Sequence, residues 1–164
     1  MKALFIGGIK SGKSLLAEQY AVKNAKIKPI YLATTEFIDS EMSDRILAHK
    51  QQRQNYFTTV EEPLKLNKII SQSKDLVLVE CLSMWINNMI YHRFDFSDIK
   101  EEIQKIMQQK KDVVFVLNDV GCGIIPDNEL ARKYVDISGK ISQLVAHDCD
   151  EVFHVIAGIG TKIK

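Results

Sequence analysis

The segment Gly7-Gly8-Ile9-Lys10-Ser11-Gly12-Lys13-Ser14 constrains this chain most, because it matches the pattern GxxxxGK[ST] in full. An apolar run, Ala3 to Ile6, precedes the motif, and a segment with helical spacing, Ser14 to Ala25, follows it. Glycines let backbone N–H groups approach a polyphosphate at the beginning of a helix, where the helix dipole favours negative charge. The motif therefore predicts a phosphate-binding loop between a buried strand and a helix.

Two side chains of this loop carry the chemistry expected of the pattern. Lys13 is predicted to reach the β and γ phosphates of a nucleoside triphosphate, and the Ser14 hydroxyl to ligate Mg²⁺. The alternative, a glycine turn with an incidental lysine, is disfavoured by the predicted strand before the motif and the predicted helix after it. The predicted nucleotide-binding residues of the loop are Gly7, Gly8, Ile9, Lys10, Ser11, Gly12, Lys13 and Ser14.

Short apolar runs alternate along the chain with longer polar segments of helical spacing. Strands are predicted at Ala3 to Ile6, Ile30 to Ala33, Leu76 to Val79, Val113 to Leu117 and Val152 to Ala157. Helices are predicted at Ser14 to Ala25, Ser40 to Gln54, Pro63 to Ser71, Ile86 to Gln109 with a break near Asp95, and Asn128 to Ala146. The strands show no polar alternation, so helices must cover both faces of a parallel sheet. The sequence predicts a three-layer α/β fold, with the tail Ile163 to Lys164, after Gly158-Ile159-Gly160, turning back as a short edge hairpin.

The composition favours one globular domain over residues 1–164. Of these residues 46% are hydrophobic and 26% are charged, and 22 Lys and Arg oppose 21 Asp and Glu. The near-zero charge without a basic block argues against nucleic acid as a partner. The apolar runs are far shorter than the roughly 20 residues of a membrane span, so no membrane association and a cytoplasmic location are expected. Three widely spaced cysteines, Cys81, Cys122 and Cys149, are interpreted as reduced thiols.

Polar residues that follow the predicted strands are further candidates, because ligands of open α/β sheets bind outside the carboxyl ends of the strands. Thr34 and Thr35 follow the second strand, and Glu80 and Asp119 each end a later one. Either acid can hold Mg²⁺, as the Walker-B acid does in P-loop enzymes, or can instead cap the next helix. Glu80 is the preferred candidate because the run that it ends is more similar to a Walker-B strand.

His49 has an unusual setting on the predicted helix from Ser40. Arg45 and Arg53 lie one turn before and one turn after it, so the imidazole shares a face with two guanidinium groups. Such a face suits a phosphate, and the cations favour the neutral imidazole, which can attack phosphorus to form a phosphoramidate. Spacing alone leaves the simpler interpretation open, in which His49 is a solvated side chain on a basic helix.

Two further segments have both a functional and a structural interpretation. The glycine-rich loop from Val120 to Pro126 allows close approach of a ligand, or is a plain turn between a strand and a helix. The segment from Ser83 to Met89 either presents an apolar surface to a large ligand or subunit, or packs into the core.

Beyond the first loop, short motifs follow one another in a specific order and spacing. They are Tyr31-Leu32-Ala33-Thr34, Arg45-Ile46-x-x-His49-Lys50-x-x-Arg53, Glu80-Cys81, Asn118-Asp119-Val120-Gly121-x-Gly123-Ile124-x-Pro126, Leu130-Ala131-Arg132, Asp136-x-x-Gly139, and Asp150-Glu151-Val152 through Lys164. Together they resemble the bifunctional adenosylcobinamide kinase/adenosylcobinamide-phosphate guanylyltransferase family of cobalamin biosynthesis, over essentially the whole chain.

The resemblance implies two reactions in one enzyme. The first phosphorylates the aminopropanol hydroxyl of adenosylcobinamide with ATP or GTP. The second transfers GMP from GTP to that phosphate through a guanylylated histidine, and His49 matches this nucleophile. The resemblance also implies a P-loop NTPase fold with a RecA-like, mostly parallel sheet, assembled as a homotrimer with corrinoid sites between subunits.

The same resemblance makes further residues candidates for the nucleotide site: Thr34, Lys50, Arg53, Glu61 and Glu80. Glu61 has the chemistry to accept hydrogen bonds from the N1–H and N2–H₂ edge of guanine. Two alternatives stay open at this point. One is a simple P-loop kinase of a small molecule without a covalent intermediate, and the other is a nucleotide-binding regulatory protein without enzymatic activity.

Overall fold

The computed structural model describes residues 1–36 and 53–164. In this part of the chain, the strands are β1 (Lys2–Gly7), β2 (Ile30–Ala33), β3 (Thr58–Glu61), β4 (Val77–Glu80), β5 (Val113–Asn118), β6 (Glu151–Ile156) and β7 (Ile159–Lys162). The helices there are α1 (Lys13–Asn24), α2 (Leu66–Gln72), α3 (Leu82–Tyr91), α4 (Phe96–Gln108) and α5 (Glu129–Asp148). None of these helices is long and apolar enough to cross a membrane. The predicted helix Ser40 to Gln54 lies almost entirely outside the described residues.

The strands form one sheet in the order β3-β2-β4-β5-β1-β6-β7. Every pairing is parallel except that of β6 with β7, which is antiparallel. Parallel neighbours need crossover connections, and the helices supply them. The order places β5 between β1 and β4, so the carboxyl ends of these three strands lie side by side. The predicted mostly parallel α/β sheet is confirmed.

Successive residues of the central strands pack on opposite faces of the sheet. Leu4 and Phe115 belong to one apolar cluster, and their neighbours Phe5 and Val114 belong to the other. The first cluster contains buried residues of α2, α3, α4 and α5, and the second contains those of α1. Because both faces of these strands are buried, their sequences read as continuous apolar runs. The predicted helices on both faces are therefore confirmed.

The break predicted near Asp95 is confirmed as a helix boundary. The Asp95 side chain accepts hydrogen bonds from the backbone N–H groups of Ser97 and Asp98, and the Asp98 carboxylate accepts one from the N–H of Asp95. This reciprocal capping begins α4 and separates it from α3. The preceding helix begins at Leu82 rather than at Ile86.

The edge strand β3 was absent from the sequence prediction. Its residues, Thr58–Glu61, are exposed or half-buried and contain a single aliphatic side chain, Val60. The strand forms because it pairs in parallel with β2, a long-range contact that leaves no apolar run in the sequence. At the opposite edge, the predicted hairpin is present, but its second strand is β7 (Ile159–Lys162) and not the tail Ile163 to Lys164. Ala157 and Gly158 form its turn, both with positive φ, and β7 begins directly after them.

Candidate nucleotide-binding site

The loop from Gly7 to Ser14 lies between β1 and α1, as the motif predicts. The backbone N–H of Ser11 donates to the carbonyl of Gly8 at 3.2 Å, and α1 begins at Lys13. Gly12 precedes the helix with a φ of 92°, a left-handed conformation that suits glycine. The loop therefore curls over the N-terminus of α1, where free backbone N–H groups attract anions.

The β6–β7 hairpin braces this loop from behind. The N–H of Gly158 donates to the Ser11 carbonyl at 2.7 Å. A Cβ atom added to Gly12 would lie 2.9 Å from the Cα of Gly158, which is closer than such atoms approach. The absence of a side chain at Gly12 thus serves the packing of two backbones as well as the turn. Sequence reasoning missed this contact because the two glycines are far apart along the chain.

Two side chains of the loop, those of Lys13 and Ser11, are buried and polar. Lys13 is buried, and its Nζ donates to the Gly8 carbonyl at 3.2 Å. The Ser11 hydroxyl is buried and has no hydrogen-bond partner among the residues that the structure describes. A buried hydroxyl without a partner costs free energy, and an incoming phosphate oxygen would satisfy it. The ammonium and the hydroxyl suit a polyanion.

Ser14 and Glu80 meet at the carboxyl edge of the sheet. The Ser14 hydroxyl donates to Oε1 of Glu80 at 2.7 Å. Oε2 of Glu80 is buried, and no other described residue hydrogen bonds to it. Burial raises the pKa of Glu80 to about 7, against the opposing effects of the Ser14 hydrogen bond and the charges of Lys13 and Arg53. Among the residues that the structure describes, no cationic side chain forms an ion pair with this carboxylate.

This pair has the chemistry of a magnesium site. Mg²⁺ prefers oxygen ligands and is usually bound through one or two carboxylates together with substrate phosphates. Ser14 supplies a hydroxyl, and Glu80 a carboxylate with one oxygen that has no partner in the described part of the chain, so the pair fits the ion. No group of three or more His, Cys, Asp or Glu side chains that could hold a metal occurs within residues 1–36 and 53–164. A site completed by the nucleotide is consistent with that finding.

Asp119 uses its carboxylate differently. It follows β5, and its backbone N–H donates to the Gly7 carbonyl at 2.9 Å. Its side chain accepts from the N–H of Gly121 at 3.2 Å and from Sγ of Cys122 at 3.1 Å. Of the two strand-end acids, Glu80 is thus the one joined to Ser14, while Asp119 closes its own loop. A metal contact of Asp119 stays a prediction.

Arg53 lies against the first helix. Its Nη1 is 3.3 Å from Oε1 of Glu18, and its guanidinium carbon is 3.7 Å from the ring centroid of Tyr31. Its Nε is buried and without a partner in the described part of the chain. The positive charge of Arg53 also acts to lower the pKa of Glu80, against the larger effect of burial. Sequence reasoning named Arg53 but missed Glu18, although Glu18 follows Ser14 by one helical turn and shares its face.

The remaining strand-end candidates differ in exposure. Thr34 is fully buried, and its hydroxyl accepts from the Cys81 N–H at 3.0 Å and donates to the Cys81 carbonyl at 2.9 Å. This side chain therefore holds the backbone next to Glu80, and a direct nucleotide contact of Thr34 stays a prediction. Thr35 is half-buried, and Glu61 is exposed at the end of β3.

Glu61 and Glu80 lie at the same level of the sheet. Both align with Ala33 in the two parallel ladders of β2. With neighbouring strands about 4.8 Å apart, this register puts the two backbone positions about 10 Å from each other. Glu61 and the phosphate-binding loop thus share one edge. The other predicted residues of this site, His49 and Lys50, lie outside the described residues together with Arg45.

The segment from Ser83 to Met89 packs into the core as part of α3. Trp85 and Ile86 are fully buried, and Met89 is 5% exposed. The core-packing interpretation is confirmed. The glycine-rich loop from Val120 to Pro126, by contrast, lines a surface cavity of about 240 Å³ with Arg132 and Asp136.

Comparison with known proteins identifies the family. A model described as cobinamide kinase/cobinamide phosphate guanyltransferase matches residues 3–163. The chain belongs to this family. The bifunctional adenosylcobalamin biosynthesis protein of Salmonella typhimurium is 35% identical to it over the full length of both chains, and that of Escherichia coli is 33% identical over the full length of both. Membership confirms the family resemblance and makes the protein a transferase.

Solved structures show the same fold at low sequence identity. A KaiC-like protein of Pyrococcus horikoshii is 13% identical, with a TM-score of 0.53 over 93% of this chain and 69% of that one. An ATPase from a bacterial type III secretion system is 11% identical, with a TM-score of 0.54 over 98% of this chain and 56% of that one. These similarities support a P-loop NTPase fold for this chain.

Proposed function

We propose that this protein phosphorylates adenosylcobinamide with ATP or GTP and then transfers GMP from GTP to adenosylcobinamide phosphate, which gives adenosylcobinamide-GDP. The observation that carries the proposal is the Ser14–Glu80 hydrogen bond beside the buried Lys13, in a chain that matches the family from end to end. This arrangement supplies what phosphoryl transfer requires, which is positioning and neutralisation of a triphosphate.

In the kinase reaction, the backbone of the loop and Lys13 bind the β and γ phosphates. Ser14 and Glu80 would hold Mg²⁺, which supplies positive charge against the phosphate oxygens. The buried Ser11 hydroxyl donates to a phosphate oxygen in place of its missing partner. Binding thus converts several unsatisfied polar groups into ligand contacts.

In the guanylyl transfer, His49 acts as the nucleophile. Its neutral ring nitrogen forms a bond to the α-phosphorus of GTP while the bond from that phosphorus to the bridging oxygen breaks, and pyrophosphate leaves. The phosphate oxygen of adenosylcobinamide phosphate then attacks the same phosphorus and releases the histidine. Arg45 and Arg53 lie four positions before and four positions after His49 in the sequence and stabilise the charge on the transferred group.

Guanine specificity belongs to Glu61 in this proposal. Its carboxylate accepts from N1–H and N2–H₂ of the base, and its exposed position at the edge shared with Glu80 supports that role. We also propose a cytoplasmic homotrimer with the corrinoid bound between subunits, because a chain of 164 residues has little surface to enclose so large a ligand by itself.

The decisive experiment is labelling with GTP that carries the label at either the α or the γ phosphate. The protein is mixed with Mg²⁺ and each GTP, and protein-bound label is tested for acid lability and alkali stability. We expect label from the α position only, lost in His49→Ala and retained in the control His147→Ala, whose imidazole is exposed at the end of α5.

The other outcomes separate the alternatives. Absence of label from both positions, with GTP binding intact and adenosylcobinamide phosphorylated, would contradict the covalent step and leave a simple kinase. Binding without turnover of any small acceptor would contradict both reactions and favour a regulatory nucleotide-binding protein.

A further inference from the structure

Helix α3 contains a buried amide whose partners lie outside the helix. Asn88 is fully buried, and its Nδ2 donates to the Thr34 carbonyl at 2.7 Å and to the Pro63 carbonyl at 3.1 Å. Thr34 follows β2, and Pro63 lies two residues after Glu61, the last residue of β3. One side chain of α3 thus joins the ends of two neighbouring strands.

The position of Asn88 leaves one of its polar atoms without a hydrogen bond in the described part of the chain. Its Oδ1 is buried without a partner among the described residues, and an unpaired buried acceptor is unfavourable. An aliphatic side chain of similar volume would avoid that cost but could not bind two carbonyl oxygens. The amide is therefore explained by what it holds and not by what it adds to the apolar core around Trp85 and Ile86.

We propose that Asn88 is a positioning residue for nucleobase specificity, because its amide ties the end of β2 to the segment after β3 and thereby fixes Glu61 relative to the phosphate-binding loop. The inference rests on the proposed role of Glu61 in binding guanine. Asn88 is fully buried, so the proposed role is one of positioning and not of contact with the base.

A second side chain of α3 anchors the same segment. Trp85 Nε1 donates to the Leu64 carbonyl at 2.8 Å. The Glu62 carboxylate accepts from the N–H groups of Leu64 and Lys65 at 3.0 and 2.9 Å, and the Glu62 N–H donates to the Ala33 carbonyl at 3.0 Å. The segment after Glu61 is thus fixed to β2 on one side and to α3 on the other.

The short edge strand needs such anchors. β3 has four residues, and in the described part of the chain it pairs with β2 alone. Edge strands of this length hold their ends weakly without further contacts, and a displacement of about 1 Å at a binding group is enough to lose much of its effect. The hydrogen bonds from Asn88 to Pro63 and from Trp85 to Leu64 fix the chain two and three residues after Glu61.

The test compares the affinities for GTP and ITP, because ITP lacks the N2 amine that Glu61 is proposed to bind and shares every phosphate. Dissociation constants are measured by calorimetry on the full chain for the wild type, Asn88→Ala and Trp85→Phe. Asn87→Ala is the matched control, since Asn87 is the exposed neighbour on the same helix. Glu61→Ala tests the base contact itself, because it removes both acceptor oxygens, whereas glutamine would keep one.

We expect the wild type to prefer GTP by about tenfold or more, the contribution of a hydrogen bond to a charged group. Asn88→Ala and Trp85→Phe should reduce this preference to about threefold or less while changing the affinity for ITP less than about twofold. Asn87→Ala should keep the preference. A purely structural role of Asn88 would weaken the binding of GTP and of ITP equally. The ratio of the two dissociation constants therefore separates the two roles.

Two results would overturn the inference. If Glu61→Ala loses the preference while Asn88→Ala and Trp85→Phe keep it, the role of Glu61 stands and the positioning role is wrong. If Glu61→Ala keeps the preference, the proposed base contact fails and the inference fails with it. Trp85→Phe retains an aromatic ring in the core, so it serves as the test if Asn88→Ala does not fold.

Discussion

The Ser14 hydroxyl and the Glu80 carboxylate form a hydrogen bond of 2.7 Å although 66 positions separate them in the chain. Ser14 lies in the first turn of α1 and Glu80 ends β4, with β5 between β4 and β1 in the sheet. The bond satisfies one carboxylate oxygen, and the other is buried with no hydrogen-bond partner within residues 1–36 and 53–164. In this part of the chain, the site is therefore incomplete on its cationic side.

This incompleteness predicts an unusual pH dependence of the free energy of unfolding. The pKa of Glu80 is raised to about 7 in the folded state by burial, so the folded protein holds this proton after the unfolded chain has released it. Without metal, the contribution of Glu80 to stability therefore falls as pH rises from about 4.5 to about 7 and is constant above that. The loss should be roughly 3 kcal/mol for a shift of this size, since one pKa unit corresponds to about 1.4 kcal/mol.

Urea denaturation of the wild type and Glu80→Gln at pH 5 and pH 8 measures this contribution. The variant should gain stability relative to the wild type at pH 8 and lose that advantage at pH 5, because glutamine does not titrate. Mg²⁺ with nucleotide should stabilise the wild type most at pH 8. The same pH slope in both proteins would contradict the assignment to Glu80.

Lys13 should be essential for turnover and unimportant for folding. Its Nζ binds the Gly8 carbonyl of its own loop at 3.2 Å, so its loss removes one weak contact from the folded protein. The same ammonium neutralises charge that develops on the phosphates, and loss of such a group lowers the rate about 100-fold or more. Steady-state kinetics of Lys13→Ala, with the exposed Lys23→Ala on the same helix as control, checks this. Equal activity of the two variants would contradict the role of Lys13.

Much of this fold could be predicted because its central strands are buried on both faces. The runs around Leu4 and Phe115 are apolar throughout, and the helices between such runs follow from their spacing. The edge strand β3 escaped prediction because its pairing with β2, and not its composition, makes it a strand. The start of α3 was also predicted wrongly: the helix begins at Leu82, directly after β4 and Cys81, and not at Ile86.

The site residues that belong to one local motif could be predicted from the sequence. Those that only the fold brings together could not. The loop from Gly7 to Ser14 is read directly from the sequence, and Glu80 follows from its place after a strand. Glu18 and Asn88 were missed because a half-buried acid on a helix and an amide in an apolar segment have many structural explanations. Only the folded structure shows that Glu18 contacts Arg53 and that Asn88 contacts the segments that follow β2 and β3.

The ion pair between Glu18 and Arg53 should stabilise the protein more than a surface pair does. The two side chains are 22% and 13% exposed, so breaking the pair leaves a poorly solvated guanidinium next to Tyr31. We expect Glu18→Gln to lower the free energy of unfolding by about 1–3 kcal/mol.

The control for this prediction is Glu101→Gln, which breaks an exposed pair with Lys105 on α4. That change should cost less than about 0.5 kcal/mol, because water replaces the partner. Urea denaturation at neutral pH in low and high salt measures both variants. A cost of Glu18→Gln no larger than that of Glu101→Gln would show that the pair with Arg53 does not stabilise the fold.

The contact between Gly12 and Gly158 should make Gly12→Ala more damaging than a positive φ alone explains. A left-handed conformation costs an alanine about 1–2 kcal/mol, and at Gly12 the new methyl group would also meet the Gly158 backbone at 2.9 Å. Gly158→Ala has a similar φ of 82° but open space around its Cβ, and Gly8→Ala has open space. Unfolding free energies should therefore fall most for Gly12→Ala, by about 1–2 kcal/mol for Gly158→Ala, and least for Gly8→Ala. Equal losses for Gly12→Ala and Gly158→Ala would mean that the hairpin yields without cost, and that it does not brace the phosphate-binding loop.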